Sequence, residues 1–299
     1  MSEPRTRDTA AAVGARFAAL ARDDKLRAAC MAAVAALDGD PAPAVLRRLA
    51  DGFDLSPFEC DVLTLVGLPE EHEALTELAR RHHPLGEPRV SFGMIAATLG
   101  LDDSGRVHLR RAIAAGPLAA NGLIDGPRMV PLPERGLRLV DGLWEVIRGG
   151  GRWPADIAVL SIPDGVAGEL PEAALSAALT AQPCVVLVTA STDRAVEETA
   201  ALAASELVRR ERVYAGFDAS AVVGPAAQRI IAHLVARGAV PVVVGVPSTP
   251  VLPAYPGPVL VCIGAGEPVP LDDRPVVEAS LGARSLGDNA RMWKTLAPE

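Results

Sequence analysis

The chain has 299 residues, about half of them apolar, and 29 Lys and Arg against 37 Asp and Glu give a formal net charge of −8. This composition is rich enough in apolar residues for sizeable cores and excludes global disorder, while the length suits two domains. The acidic balance argues against a general nucleic-acid binder, whose affinity comes from neutralising phosphates.

Up to about residue 150, apolar residues recur at helical spacing and predict helices over 8–22, 24–37, 42–51, 56–67, 70–82, 91–99, 106–114 and 135–147. Asp40 precedes Pro41 and the third of these runs. Ser56, Pro57 and Glu59 have the spacing of a capping box with proline at the first helical position. Pro69, Glu70 and Glu71 open the fifth helix and Arg80 and Arg81 close it, an order that suits the helix dipole. Turn signals at Asn121-Gly122 and Asp125-Gly126-Pro127 lie between Leu123, Ile124 and Met129, Val130, and predict a small β-ribbon. Short helices followed by a hairpin outline a winged-helix-like module. Its docking helix, read as 91–99, holds neither Arg nor Lys. Base readout usually needs Arg, Asn or Gln, so protein docking is expected and nucleic acid is not.

Arg148–Pro154, RGGGRWP, marks a boundary between a helical domain at 1–150 and an α/β domain at 151–299. Beyond it, apolar runs predict strands at 156–162, 183–190, 211–217, 241–246 and 258–264, separated by helices at 171–181, 195–209 and 225–237. Continuous apolar strands alternating with helices indicate a parallel sheet covered on both faces. Cys30, Cys60, Cys184 and Cys262 are far apart in apolar surroundings and are expected to be buried, reduced thiols. The opening residues lack a signal-peptide layout and no apolar run reaches the roughly 18 residues of a membrane span. A soluble, cytoplasmic protein is therefore expected.

A parallel α/β domain binds ligands at the carboxyl ends of its strands. After PCVVLV, a phosphate-binding loop would read GxxxxGK followed by Ser or Thr. Its glycines let backbone N–H groups close round the phosphates, its Lys balances their charge, and its hydroxyl ligates magnesium. Here the junction reads TASTDRAV. Thr189 takes the place of the first glycine and Arg194 that of the second; Ala195 replaces the Lys and Val196 the hydroxyl residue. Asp193, Glu197 and Glu198 add negative charge where a triphosphate would sit. The strand PVVVGV, where acidic residues would hold magnesium and orient water, ends in Gly245, Val246 and Pro247. Both halves of the machinery are missing together, so no catalytic residue, cofactor or metal is expected. Arg194 is most simply a solvated surface residue, with contact to another anion the alternative.

Residues 45–150 resemble the N-terminal winged-helix-like region of the AAA+ ATPases of extracellular contractile injection systems, the phage-tail-like particles of bacteria. The resemblance rests on Leu55, Ser56, Phe58, Glu59, Leu63, Leu65, Pro117, Leu118, Gly122, Leu123 and Leu143. It continues more weakly over 151–299, where that family has a degenerate ATPase-like module ahead of the active one. In the tail NARMWKTLAPE, Arg291 and Trp293 are similar to the start of an AAA+ lid. The resemblance implies a P-loop-NTPase-like core without its P-loop, and partners among AAA+ subunits or particle components. The sequence departs from that family in showing no lid and no second, competent module, so ATPase activity is not carried over; the alternative is the regulatory half of an active ATPase whose catalytic module lies beyond residue 299. A winged-helix DNA-binding regulator is the third expectation.

Other groups carry weaker signals. His82 and His83 beside Arg80 and Arg81 read as a solvated helix end, because a metal site would need a third ligand nearby. His72 with Glu73 lacks the spacing of a zinc protease. The run Glu70, Glu71, Glu73 and Glu77 reads as a solvated face, with partner docking as the alternative.

Overall fold

The helical periodicity of the first half is realised, with one exception and several shifted ends. In the computed structural model, which describes residues 10–38, 42–126, 129–163, 168–180, 182–191 and 195–282, the chain divides into two units, Met1–Arg152 and Trp153–Glu299. Asp40, Pro41, Asp193, Arg194, Arg291 and Trp293 lie outside the described residues.

Unit 1 begins with α1 (Ala10–Ala18), α2 (Asp24–Ala35), α3 (Ala42–Phe53), α4 (Pro57–Gly67) and α5 (Glu73–His82). On α3, Val45, Leu46, Leu49 and Phe53 are buried while Arg47 and Arg48 face solvent, the stripe that drives a helix onto a core. The capping box at α4 forms in full: Ser56 Oγ accepts from Glu59 N at 3.3 Å and Glu59 Oε2 accepts from Ser56 N at 3.0 Å. The fifth helix starts later than its charges suggest. Leu68–Glu70 forms a 3₁₀ turn, and His72 caps α5 by accepting Ala74 N on its Nδ1 at 3.0 Å.

There follow β1 (Val90–Ser91), α6 (Phe92–Thr98), α7 (Asp103–Ala114), α8 (Pro117–Ala120), β2 (Ile124–Asp125), β3 (Gly136–Leu139) and α9 (Leu143–Ile147). Strand β3 lies antiparallel between β1 and β2, with Val90 opposite Leu137 and Ile124 opposite Leu139. Two expectations are corrected here. The helix expected over 135–147 is a strand over its first part, because 136–139 finds backbone partners on both edges; only 143–147 is helical, after Gly142 at a φ of 74°. The ribbon forms, but its second arm is β3 and not Met129–Val130. Pro131 and Pro133 lack the N–H a ladder needs, and Leu132–Glu134 turns instead.

Trp144 fixes α9 against α4. A Cβ on Gly67 would overlap the indole ring. The indole N–H donates to Glu71 Oε2 at 3.0 Å, and the same oxygen receives Arg148 Nε at 3.0 Å. Glu71 is therefore committed to unit 1 itself, and Glu77 pairs with Arg80 and Arg81 on its own helix.

Unit 2 is an α/β fold with α10 (Glu172–Leu179), β4 (Cys184–Thr189), α11 (Val196–Arg209), β5 (Tyr214–Asp218), α12 (Pro225–Arg237), β6 (Val240–Val244), β7 (Pro258–Ile263) and β8 (Val276–Ser280). The five strands form one parallel sheet in the order β5-β6-β7-β4-β8. Alanines of α10 and α11 lie flat on one face, over Val186, Val188, Val242, Leu260 and Cys262. On the other face Phe217 meets Trp153 edge-on at 5.6 Å, and Trp153 meets His233 of α12. The strand expected over 156–162 does not form. Only Leu160 pairs, in a single antiparallel bridge to Gly216 on the outer side of β5, and Tyr214 donates its hydroxyl to Ile162 O at 2.9 Å. Among the described residues no helix is long and apolar enough to cross a membrane.

Gly67→Ala is expected to lower the unfolding free energy of unit 1 by about 2 kcal/mol or more, the cost of overpacking a core. Gly151→Ala, which meets nothing within 4 Å, should change it by less than about 0.5 kcal/mol. Urea unfolding followed by tryptophan fluorescence compares the two, and equal midpoints would refute the packing argument.

Candidate functional site

The carboxyl edge of the unit 2 sheet is where a ligand would lie, and its backbone groups are largely taken. As β4 ends, Ala190 N–H donates to Ile263 O at 2.8 Å and Thr189 O accepts Leu281 N–H at 3.0 Å. The strand exit is thus tied to β7 on one side and to the residue after β8 on the other. Ser191 Oγ reaches Gly282 O at 3.4 Å.

Helix α11 begins at Val196 with Ala195 as its N-cap and no side-chain cap bond. Ala195 is exposed, and Val196 packs against the apolar core at the position a magnesium-binding hydroxyl would hold. Glu197 and Glu198 occupy the first turn. Helix N-termini favour anions, and two carboxylates of the chain itself already stand at this one. Thr199, fully buried, turns its hydroxyl back to Ala195 O at 3.4 Å. Of the residues read as the degenerate phosphate loop, Thr189, Ala195 and Val196 therefore frame the β4–α11 junction.

The next strand ends differ in character. Gly245 follows β6 at a φ of 92° and gives its N–H to Cys262 O at 2.9 Å. One strand over, Asp218 closes β5 opposite Val244. Its Oδ1 accepts from Ser220 Oγ at 2.5 Å and Ser220 N at 2.9 Å, and these bonds hold the carboxyl below its usual range. After β7, Glu267 Oε2 accepts Gly264 N at 2.7 Å. Asp218 was not singled out from sequence because the run 211–217 stops one residue short of it. With Glu197, Glu198 and Glu267 it brings four carboxylates to this edge among the described residues, the opposite of a triphosphate cradle.

Protein-family models, curated proteins and solved structures were compared with the chain, and none matches.

Elsewhere, all four cysteines are buried thiols outside any disulfide. Burial raises the thiols of Cys30, Cys184 and Cys262, the last to about 12. No group of three or more potential metal ligands occurs among the described residues. In unit 1 the helix read as the docking helix is largely buried: Phe92, Met94, Ile95, Ala96 and Thr98 of α6 all face inward. The exposed helix that follows it is α7, carrying Arg106, Arg110 and Arg111 on its solvent side.

His83 also departs from expectation. It is not part of a solvated end but is 4 % exposed. Its Nδ1 accepts Leu85 N at 3.1 Å, while Nε2 faces Gly136, where Glu87 Oε2 also converges. Burial lowers its pKa from the ordinary 6.5, opposed by Glu87 and Glu134 and reinforced by Arg89. Below 6.5 the unfolded chain takes up a proton here that the folded chain does not. Stability should therefore fall as the pH drops from 6.5 towards the lower folded value, and be insensitive to this group above it. Urea midpoints of unit 1 at about pH 7.5 and about pH 5.5 measure the loss. His83→Asn keeps an acceptor for Leu85 N and removes the titration, so its midpoint should fall less than that of the parent. Equal losses would exclude His83 as the cause.

Proposed function

We propose that this chain is a non-catalytic interaction and regulatory module related to the AAA+ ATPases of contractile injection systems. In this reading unit 2 is an AAA-like, P-loop-NTPase-like core that has lost its phosphate loop, and unit 1 is winged-helix-like.

The observation that carries the reading is the exit of β4. An interior strand of an all-parallel sheet leads into a helix at the position where a phosphate loop would lie. At that position stand Ala195, a core-packed Val196 and two glutamates. The strand order supports it too. β4 comes first of the five in the chain, yet it lies between the last two: the chain leaves it for the far edge at β5 and returns through β6 and β7 to β8 on its other side. Such a reversal opens a crevice at the carboxyl edge, and here the crevice is acidic. For unit 1, support comes from α4, α6 and α7 accompanied by the antiparallel β1-β3-β2 sheet.

The module works by docking onto neighbouring ATPase subunits or particle components. Association would be driven by apolar area removed from water, at about 25 cal/mol per Å². Val208 and Val213, 45 % and 55 % exposed at the turn between α11 and β5, are available for such contact.

Purified chain is expected to release no phosphate from magnesium-ATP above the buffer blank, and to give no binding heat with ATP or ADP. Turnover that disappears on substitution within 189–198 would overturn the reading. Co-expression with the sheath, baseplate and ATPase subunits expected beside its gene should yield a complex. A chain that purifies alone from every pairing would remove the docking role.

A further inference from the structure

A second interaction surface lies on unit 1 and does not depend on the ATPase-related reading. Helix α7 presents one continuous exposed stripe containing Asp103, Arg106, Val107, Arg110, Arg111 and Ala114, while Leu109, Ala112 and Ile113 face the core. None of the three arginines is held in an ion pair among the described residues. Val107, 56 % exposed, sits among them.

The stripe runs towards a cleft of about 390 Å³ between the end of α7 and the β2–β3 hairpin, lined by Ile113, Ala114, Ile124, Asp125, Leu137 and Arg135. From Asp102 to Arg138 the described residues hold Arg106, Arg110, Arg111, Arg135 and Arg138 against Asp102, Asp103, Asp125 and Glu134, one positive charge in excess in a chain of net charge −8. Two of these four acids are engaged within the unit: Asp102 caps α7 through Gly105 N at 2.8 Å, and Asp125 pairs with Arg138 at 3.3 Å.

We propose that Arg106, Arg110 and Arg111 of α7 form a docking surface for the phosphate backbone of duplex DNA. Charge complementarity selects a polyanion, and the shape selects the duplex. An exposed helix fits the major groove of B-form DNA, about 12 Å wide, and not the narrow one of A-form RNA. The N-terminal turn, where such helices usually read bases, carries Asp102 and Asp103. Contact therefore falls to the later turns and is with phosphates, so binding is sequence-independent and steeply salt-dependent.

The test is fluorescence anisotropy of labelled duplexes of unrelated sequence with the full chain, from about 50 to 200 mM salt. Similar affinities for all duplex DNAs are expected, with weaker binding to duplex RNA. Each neutralised phosphate contributes about 0.9 to the log–log salt slope, so Arg110→Gln with Arg111→Gln should flatten it by nearly two. Affinity at low salt should fall at least roughly ten-fold by the same counterion argument. Both arginines are exposed, and an unchanged melting temperature confirms that the double variant is folded. No binding at the lowest salt, an unaltered slope in the double variant, or binding to a polyglutamate peptide but not to DNA would each overturn the proposal.

Discussion

Strand β4 has a parallel neighbour on each side, and this saturation organises unit 2. Its apolar residues alternate between two covered faces, and its exit is bonded to β7 and to the segment after β8. A P-loop needs the opposite at that point: backbone N–H groups turned away from the sheet and free for a ligand. The described N–H of Ala190 is consumed by Ile263. The side chains follow suit, since Val196 serves the core. Among the described residues the carboxyl edge of the sheet carries Asp218, Glu197, Glu198 and Glu267.

Much of this was legible from residue chemistry alone. Val, Ile and Leu runs bounded by turn residues located β4, β6 and β7 nearly to their ends, because strands buried on both faces must be apolar throughout. That TASTDRAV lacks the glycines, lysine and hydroxyl of a phosphate-binding loop is a matter of residue types and is read from the sequence directly. Three features were not legible, and each depends on a partner distant in sequence. Residues 156–162 have strand composition but only one ladder contact, at Leu160. Residues 136–139 have helical spacing, yet backbone partners on both sides make them a strand. Strand β8, short and broken by Glu278, carries too little pattern of its own and exists because β4 offers it an edge. Pairing belongs to two segments, and a single-segment reading cannot weigh it.

The same reasoning applies to the two adjacent helices α6 and α7 of unit 1. Choosing between α6 and α7 requires knowing which of two adjacent helices is covered. The sequence of α6, with its Phe, Met and Ile, signals burial, and the arginines of α7 signal exposure. That contrast was present in the composition, but expecting a docking helix at 91–99 obscured it. His83 follows a similar pattern. Its neighbours Arg80, Arg81 and His82 are those of a helix end in water, whereas the turn through Leu85 folds the ring inward against Gly136.

The bridge from Leu160 to Gly216 bears on colloidal behaviour. A parallel sheet ends in strands whose unpaired backbone invites a foreign strand. At β5 the chain lays its own upstream segment along that margin, anchored by the Tyr214 hydroxyl, and Ile162 presses close enough to Gly216 that a side chain there would collide with it. At Leu160 the segment takes up a backbone carbonyl of that flank which a foreign strand would otherwise use, and Gly216 is the residue that lets it approach.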